Sequence, residues 1–388
     1  MYFIFTIKPV RIITVLLLIA FFSLLSLNYR FITIPSNSRD MVFKVVIDPG
    51  HGSIDTGTSY GELLEKDINL EIAKYLYDEL KKVNIIPIMT RTEDKLYQNS
   101  RNKDLRQRPL IANNAKADLF ISIHGNNYPS SQPSGSQIFY KTNSPESEKL
   151  AEFVQMELVK LRKENNRSLK KGDYYVLNMI KCPGILIETG FLSNPEDRSL
   201  LSDPGYQKKI AAVIRDGIVC YFQENFNKPI SDESPIYELQ TETISFQEEN
   251  CLYYISFTDK QLFLSGIKMP FPATSFFEKE YTSLDFTEIL AISALNELLS
   301  PPSGLISPLP EGTVINSLKI QEGLAILDMT INSNRIHGGA EFEQFSIMAV
   351  LKTLFSINGI KGVKILLSGE ENGSPGGHII FNRIYYKE

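Results

Sequence analysis

The stretch that decides the fold is Val45-Val46-Ile47-Asp48-Pro49-Gly50-His51-Gly52, an apolar run that ends in a polar, glycine-rich turn. Short continuous apolar runs are typical of strands in a sheet that is covered on both faces. Two later runs have the same form: Asp118-Leu119-Phe120-Ile121-Ser122-Ile123-His124 and Gly184-Ile185-Leu186-Ile187-Glu188. A polar side chain at the edge of a core costs free energy unless a partner satisfies it. We therefore expect the residues that end these runs to share such a partner.

The remainder of this region alternates strand and helix patterns. We predict strands over 42–47, 85–90, 118–124, 135–140 and 184–188, and helices near 68–83, 108–114, 146–162 and 206–222. This alternation predicts an α/β fold with a mostly parallel or mixed sheet flanked by helices. Ligands of such folds bind beyond the carboxyl ends of the strands. His51, His124 and Glu188 are all predicted to lie there.

These residue types point to a metal-dependent hydrolase. Catalytic Zn²⁺ takes three protein ligands of the histidine and carboxylate type and leaves a position for water. His51, His124 and Glu65, which opens the first helix after Leu63-Leu64, supply that set. Glu188 would exchange a proton with the water and the leaving amine. Spacing alone leaves the alternative open that the histidines are structural.

The sequences of these motifs resemble those of one known family, the zinc-dependent N-acetylmuramoyl-L-alanine amidases. The resemblance covers about residues 43 to 224 and is carried by Asp48-Pro49-Gly50-His51-Gly52, Leu64-Glu65-Lys66-Asp67-Ile68-Asn69-Leu70, Ser122-Ile123-His124-Gly125-Asn126 and Ile187-Glu188-Thr189-Gly190-Phe191-Leu192-Ser193-Asn194. It implies that the residues matching His51, Glu65 and His124 bind zinc and that the one matching Glu188 is catalytic. The implied reaction is hydrolysis of the amide between muramic acid and L-alanine in peptidoglycan.

Three further residues are candidates for substrate binding: Arg91, Arg108 and Asn126. For the two arginines, ion pairing that shapes the loops is the competing interpretation. Asp48 is expected to orient His51 or to cap a turn rather than to bind metal. Some relatives carry an occluding helix after the second histidine. Residues 127–134 are too few, with two prolines, to form one, so we expect no helix at that position.

The chain divides into four segments. Residues 1–41 contain an apolar run behind Lys8 and Arg11, which predicts a membrane anchor or signal followed by a polar tether. No A-x-A cleavage site follows, which favours an uncleaved anchor on an exported protein. Residues 42–224 form the predicted catalytic domain and 225–250 a linker rich in acidic and polar residues.

Residues 251–388 are predicted to form a smaller α+β domain. This part resembles the GerMN domain of sporulation and germination proteins, through segments such as Ala294-Leu295-Asn296-Glu297-Leu298-Leu299 and Gly323-Leu324-Ala325-Ile326-Leu327-Asp328. The resemblance carries no catalytic set and suggests binding or scaffolding, with another sporulation protein as a candidate partner. His337 and His378 lie among glycines and polar loops, and we expect them to be exposed structural residues.

The amino-acid composition argues against two kinds of function, nucleic-acid binding and a cysteine metal site. The net charge of −5 argues against a nucleic-acid partner, and the three cysteines show no CxxC spacing for a metal site. The apolar N-terminal run and the two resemblances together imply an exported, membrane-anchored zinc amidase that faces the cell wall or the intermembrane space of the forespore. Its expected role is in spore cortex formation, where removal of the stem peptide precedes the formation of muramic δ-lactam. The alternatives are a general autolysin in cell separation and a non-catalytic protein that binds peptidoglycan.

Overall fold

A computed structural model describes residues 43–225, 243–244, 250–258, 261–269, 283–331 and 339–387. These residues fall within one compact unit, Val42–Glu388. The predicted N-terminal anchor, most of the predicted linker and His337 lie outside the described residues. Among the helices that are described, none has the length and apolar character needed to cross a membrane.

The first half of the described chain alternates strands and helices, as predicted. Its elements are β1 (Lys44–Pro49), β2 (Ser59–Tyr60), β3 (Leu63–Leu64), α1 (Glu65–Lys82), β4 (Ile86–Met89), α2 (Arg101–Ala115), β5 (Leu119–Asn126), β6 (Gln137–Lys141), α3 (Pro145–Leu161), β7 (Lys170–Gly172), α4 (Tyr175–Met179), β8 (Gly184–Phe191), α5 (Pro195–Leu201) and α6 (Pro204–Asn225). The five predicted strands are confirmed as β1, β4, β5, β6 and β8. No helix lies between β5 and β6, as expected.

One helix begins earlier than predicted. Helix α2 starts at Arg101 rather than near Arg108, because Ser100 caps it by accepting a hydrogen bond from the Lys103 amide. Pro109 then lies inside the helix instead of at its first turn.

The large sheet has the strand order β4-β1-β5-β8-β6-β7. Strand β1 pairs in parallel with β4 and β5, and β5 pairs in parallel with β8. Strand β6 runs antiparallel to β8, so the sheet is mixed, with a parallel centre. Because β1, β5 and β8 are adjacent and parallel, their carboxyl ends meet at one edge. This edge holds the predicted site, and the α/β fold prediction is confirmed.

The second half of the described chain is an α+β arrangement. Its elements are β9 (Thr243–Ile244), β10 (Cys251–Phe257), β11 (Leu262–Lys268), α7 (Ser283–Leu298), β12 (Val314–Gln321), β13 (Leu324–Thr330), α8 (Ala340–Phe355), β14 (Gly362–Leu367) and β15 (Ile384–Lys387). Strands β12 to β15 and β9 form a sheet in the order β12-β13-β14-β15-β9. Strands β12 and β13 form an antiparallel hairpin, and Glu322 and Gly323 turn it with φ of 51° and 85°.

Two hydrophobic clusters hold these layers together. On one face of the large sheet, Val45, Ile47 and Ile121 pack with side chains of α1, α3 and α6. On the other face, Val46 and Phe120 belong to a cluster that continues into the second half of the chain and includes Leu327. Burial of apolar area contributes about 25 cal/mol per Å² to folding. The predicted boundaries at 42–224 and 251–388 stay predictions, since the two parts share this cluster.

Candidate metal centre and general base

The His51 turn has an unusual backbone that buried arginines hold in place. His51 has φ of 63°, in the left-handed region that few residues other than glycine adopt. The Arg108 guanidinium donates to the His51 carbonyl at 2.9 Å and to the Pro49 carbonyl at 2.8 Å. Arg91 donates to the carbonyls of Pro49 and Gly50 at 3.0 and 2.9 Å. Such outliers persist where the surroundings hold them, and they cluster at functional sites.

Glu65 is the first residue of α1 and turns back toward this loop. Its Oε2 accepts a hydrogen bond from the Thr58 amide at 2.7 Å, and its Oε1 accepts one from the Gly125 amide at 3.1 Å. The β2–β3 hairpin carries the chain from the His51 turn to the start of α1, which places the carboxylate there. A carboxylate is favoured at this position because the N-terminus of a helix carries partial positive charge.

His124 lies at the end of β5, and the strand register aligns it with Glu188 on β8. Its Nδ1 is 3.1 Å from Glu65 Oε1, and His51 Nε2 is also 3.1 Å from that oxygen. The imidazole ring packs against Gly50, where any Cβ would overlap it. The structure therefore brings His51, Glu65 and His124 together as the sequence predicted, although their role as ligands stays a prediction.

Asp55 orients the His51 ring, a role that the sequence analysis gave to Asp48. The Asp55 Oδ2 atom lies 3.0 Å from His51 Nδ1, which leaves Nε2 directed at Glu65. Asp48 instead accepts hydrogen bonds from Arg108 and Thr90 at 2.7 Å and from Ser122 at 2.8 Å. The expectation that Asp48 orients His51 was wrong, because Arg108 draws its carboxylate to the other side of the loop.

The electrostatic environment of the cluster shifts the pKa values of His51 and His124 in opposite directions. Burial disfavours the charged ring of His51, but the Glu65 and Asp55 carboxylates outweigh it and raise its pKa to about 10. Burial lowers the pKa of His124 to about 4, and Glu65 offsets only part of this effect. The pKa of Glu65 lies well below its ordinary value, since His51 and His124 overcome the cost of burial. Glu65 is therefore anionic and able to act as a ligand.

Glu188 has the environment of a proton-transfer group. It is fully buried, and no hydrogen bond of good geometry reaches either carboxylate oxygen among the described residues, although the Ala340 amide is close enough to act on them. Burial and then the negative charge of Glu65 raise the pKa of Glu188 well above its ordinary value, while the Ala340 amide acts in the opposite direction. A carboxylate whose pKa is raised by burial beside charged groups is a candidate for catalysis.

The structure adds a third histidine that the sequence analysis assigned wrongly. His378 was expected to be exposed, but it is 5% exposed and belongs to the same cluster as His51 and His124. Its Nε2 lies 3.3 Å from His124 Nδ1, and its Nδ1 lies 2.8 Å from Glu343 Oε2. One signal in the sequence could have found it: Gly376-Gly377-His378 resembles the glycine-flanked His51, in a chain with four histidines.

The residues present fit a zinc ion. One nitrogen from each of His51, His124 and His378 lies within 4.8 Å of the others, and Glu65 Oε1 is close to the first two. His51 Nε2 is buried and lies 3.1 Å from Glu65 Oε1, but it makes no hydrogen bond of good geometry among the described residues; a metal ion would give it a partner. Imidazole and carboxylate donors are those that zinc takes at catalytic sites.

The proposed substrate-binding residues have mostly structural contacts. Arg91 and Arg108 are 4% and 5% exposed, and the hydrogen bonds described above hold the His51 loop. These contacts fit the loop-shaping interpretation. Asn126 is 1% exposed, its Oδ1 accepts from the Asn127 amide at 2.8 Å, and its Nδ2 has no partner among the described residues. Contact of these three residues with substrate stays a prediction.

Comparison with known proteins identifies relatives of both halves. The profile of a family described as N-acetylmuramoyl-L-alanine amidase matches residues 45–220. A second profile, described as sporulation and spore germination, matches residues 252–373. His378 lies beyond the second match.

Individual relatives match the first half of the chain. The germination-specific N-acetylmuramoyl-L-alanine amidase of Bacillus subtilis is 43% identical over 195 residues, which are 48% of this chain and 82% of that protein. The amidase LytC of the same organism is 38% identical over 181 residues, 46% of this chain and 35% of that protein. Among solved structures, the CwlD amidase of Clostridioides difficile in complex with the GerS lipoprotein is 36% identical. It covers 47% of this chain and 99% of that chain, with a TM-score of 0.45.

Proposed function

Because the chain belongs to the N-acetylmuramoyl-L-alanine amidase family, we propose that Glu188, His51, Glu65 and His124 carry out the hydrolysis that this family performs on peptidoglycan. The bond cleaved is the amide between the lactyl group of muramic acid and L-alanine of the stem peptide. One observation carries the assignment of residues. The ends of β1, β5 and β8 and the start of α1 bring two imidazoles and two carboxylates to one buried edge of the sheet.

We propose that the cofactor is Zn²⁺, held by His51 Nε2, Glu65 Oε1 and His124 Nδ1. Bound zinc polarises the amide carbonyl and lowers the pKa of a bound water toward 7. The protein prepares the ligands for this ion. Asp55 accepts the Nδ1 proton of His51 and so keeps Nε2 available. The Thr58 and Gly125 amides hold both oxygens of Glu65.

Glu188 is proposed to act as general base and then as general acid. Its pKa is raised by burial and by Glu65, which makes it a stronger base than an exposed carboxylate, able to take a proton from water and return it to the leaving amine. Proton transfer by a positioned side chain contributes about 10²- to 10⁴-fold to a rate. The strand pairing of β5 with β8 aligns Glu188 with His124, so base and ligand occupy neighbouring positions.

The biological setting proposed is the spore cortex. The relative with 43% identity is a germination-specific amidase, and the second half of the chain matches a family of sporulation and germination proteins. Action on peptidoglycan implies export, and we propose anchoring to a membrane through the apolar run in residues 1–41. We propose that residues 251–388 bind another sporulation protein. A general role in cell separation is the second candidate, since LytC, an amidase whose name refers to no spore function, is also similar.

Digestion of purified sacculi tests this function. The zinc-loaded protein is expected to release peptides with a free L-alanine amino end, which mass analysis of the products detects. Glu188→Gln should bind zinc as the wild type does but lose about 10²-fold or more of the release rate. Peptides that lack the L-alanine amino end would contradict the bond assignment. Release that continues unchanged in Glu188→Gln would contradict the role of Glu188.

A further inference from the structure

The second half of the chain covers the metal centre with a short segment, residues 372–381. Hydrogen bonds join this segment to the first half: the Tyr175 amide donates to the His378 carbonyl at 2.9 Å, and the Ser374 amide donates to Asn102 Oδ1 at 2.9 Å. Arg106 donates to the Asn372 carbonyl at 3.3 Å. The segment is therefore attached to the first half at Asn372, Ser374 and His378 and is not a loose end of the chain.

The segment approaches the site closely because of a glycine. Gly377 has φ of 94°, in the region that favours glycine, and a Cβ there would lie 3.2 Å from Asp55 Oδ2. The backbone at this point thus lies directly against the residue that orients His51. The next residue, His378, places its ring against the rings of His51 and His124, with centroids 5.2 and 4.9 Å away. The His51 and His124 centroids are 5.0 Å apart, so the three rings form a triangle.

The separations between donor atoms match the coordination shell of one ion. In a tetrahedral site with bonds of 2.0–2.1 Å, neighbouring ligand atoms lie about 3.3–3.4 Å apart. The observed separations are 3.1 Å from His51 Nε2 to Glu65 Oε1 and 3.1 Å from His124 Nδ1 to Glu65 Oε1. The third, from His378 Nε2 to His124 Nδ1, is 3.3 Å. These three separations are near the tetrahedral value, and the donor nitrogens of the three histidines all lie within 4.8 Å of one another.

Glu343 prepares His378 for this position. Its Oε2 lies 2.8 Å from His378 Nδ1, so the carboxylate accepts that proton and leaves Nε2 free to bind. Backbone amides of Gly376, His378 and Ile379 also donate to Glu343, at 3.1, 3.2 and 3.3 Å. A carboxylate behind a ligating histidine is the usual arrangement around protein-bound zinc. Asp55 has the same relation to His51.

The second half of the chain also covers the general base. Helix α8 begins beside Glu188, and the Ala340 amide faces its carboxylate. Gly339, at the start of that helix, packs so closely on Asn126 that a Cβ would overlap the Asn126 side chain. Two ion pairs flank this contact, Lys170 with Glu341 and Asp173 with Arg383. His51, Glu65 and Glu188 are 4%, 2% and 0% exposed, so a polymeric substrate cannot reach them in this conformation.

We propose that His378 is a fourth protein ligand of the metal ion and that residues 372–381 thereby close the amidase site. This proposal rests on the proposed function, since it assumes the zinc centre described there. A site with four protein ligands is of the structural type, whereas a catalytic site leaves one position open to water. His378 occupies that position. Hydrolysis therefore requires the segment to leave, which opens the metal and Glu188 in one movement.

The test uses the full-length zinc-loaded protein and three variants. His378→Ala removes the fourth ligand, and Glu343→Gln removes the charge that orients it. Glu371→Gln is the matched control, because Glu371 is exposed just before the segment and pairs only with Lys364 among the described contacts. X-ray absorption at the zinc edge counts imidazole ligands. Transfer of zinc to a chromophoric chelator gives the dissociation rate, and sacculus digestion gives stem-peptide release.

We expect three imidazoles per zinc in the wild type and Glu371→Gln, and two in His378→Ala. Zinc should leave His378→Ala at least about tenfold faster, and Glu343→Gln should fall between it and the wild type. Stem-peptide release should rise about tenfold or more in His378→Ala, since the closed state loses its metal bond.

Two imidazoles in the wild type would overturn the ligand assignment, whatever the behaviour of the variants. Equal release by wild type and His378→Ala would overturn the closure. These failures differ from failure of the amidase function. If the imidazole counts are as expected but neither wild type nor variants release stem peptides, the function is refuted and the ligand assignment stands. Should His378→Ala fail to fold, Glu343→Gln and the wild-type count carry the test.

Discussion

The Asp55 carboxylate lies 3.0 Å from His51 Nδ1 and also pairs with Arg101 at 2.9 Å. His51 is buried and Arg101 is half-buried. The Arg101 guanidinium therefore holds the Asp55 carboxylate in place, and the carboxylate in turn holds the His51 ring. This relationship determines which nitrogen of His51 faces Glu65. The four-residue separation along the chain makes it a local feature of the His51 turn, although its partner Arg101 comes from α2.

Asp55→Asn is expected to weaken zinc binding about 10- to 100-fold. The amide keeps the shape of the side chain but removes the charge that increases the basicity of the imidazole. Competition with a chromophoric chelator at fixed pH measures the affinity. Asp78→Asn, the same change at an exposed position of α1, is the control and should bind as the wild type does. Equal affinities of the two variants would contradict the orienting role of Asp55.

Arg108→Met is expected to reduce the free energy of unfolding by about 3–5 kcal/mol. The guanidinium is buried and pairs with Asp48 at 2.7 Å and Asp104 at 2.6 Å, so its removal leaves both carboxylates without this partner. Urea unfolding in the presence of a chelator measures the change without a contribution from bound metal. Lys103→Met, at an exposed position of the same helix, should change stability by less than about 0.5 kcal/mol. A small change in the free energy of unfolding of Arg108→Met would show that these ion pairs contribute little to stability.

The contribution of Asp48 to stability is expected to disappear in acid. Burial opposes the charged form, but Arg108 and the hydroxyls of Thr90 and Ser122 outweigh it and lower the pKa of Asp48 below 3.8. A lowered pKa stabilises the folded state above the unfolded value and loses this effect as the pH falls through the folded value. The gap in unfolding free energy between wild type and Asp48→Asn should therefore be constant near neutral pH and narrow below 3.8.

Urea unfolding at a series of pH values measures this gap. The exposed Asp78→Asn variant should show a much smaller gap at every pH, because an isolated surface carboxylate has little to lose. A gap for Asp48→Asn that widens in acid would have the wrong sign and would contradict the argument.

Gly217→Ala is expected to destabilise the packing of α6 on α3. A Cβ at Gly217 would lie 2.6 Å from Val154 Cα, which is backbone and cannot rotate away. Alanine favours a helix over glycine by about 0.5–1 kcal/mol, but overpacking costs about 1–3 kcal/mol, so the net change is a loss. Gly205→Ala in the first turn of the same helix meets only the Asp203 side chain, at 3.3 Å, and should be neutral or stabilising. Thermal unfolding of both variants measures the difference.

The sequence pattern predicted the centre of the fold well because its signals are local. Continuous apolar runs marked β1, β5 and β8, and parallel pairing then brings their carboxyl ends to one edge. This reasoning predicted the neighbourhood of His51, His124 and Glu188. The start of α2 was missed because the cap at Ser100 was not recognised.

Contacts between distant residues could not be predicted in the same way. Asp48 and Arg108 are 60 residues apart. Neither segment by itself indicates that the Asp48 carboxylate would pair with Arg108 rather than orient His51. His378 is 254 residues from His124. Its own surroundings of glycines and polar residues indicate only a loop, and such loops are usually exposed.

By itself, the sequence determined the strands, the helices and the residue types at the strand ends, because each of these depends on neighbours within a few positions. Only the tertiary structure decided that His378 and Glu343 lie beside His51 and His124 and that α8 begins against Glu188. The physical reason is that these contacts depend on how two separately patterned halves pack across a shared hydrophobic cluster. Many side chains each contribute a small part of the free energy of that packing, so it cannot be predicted from any short segment of the sequence.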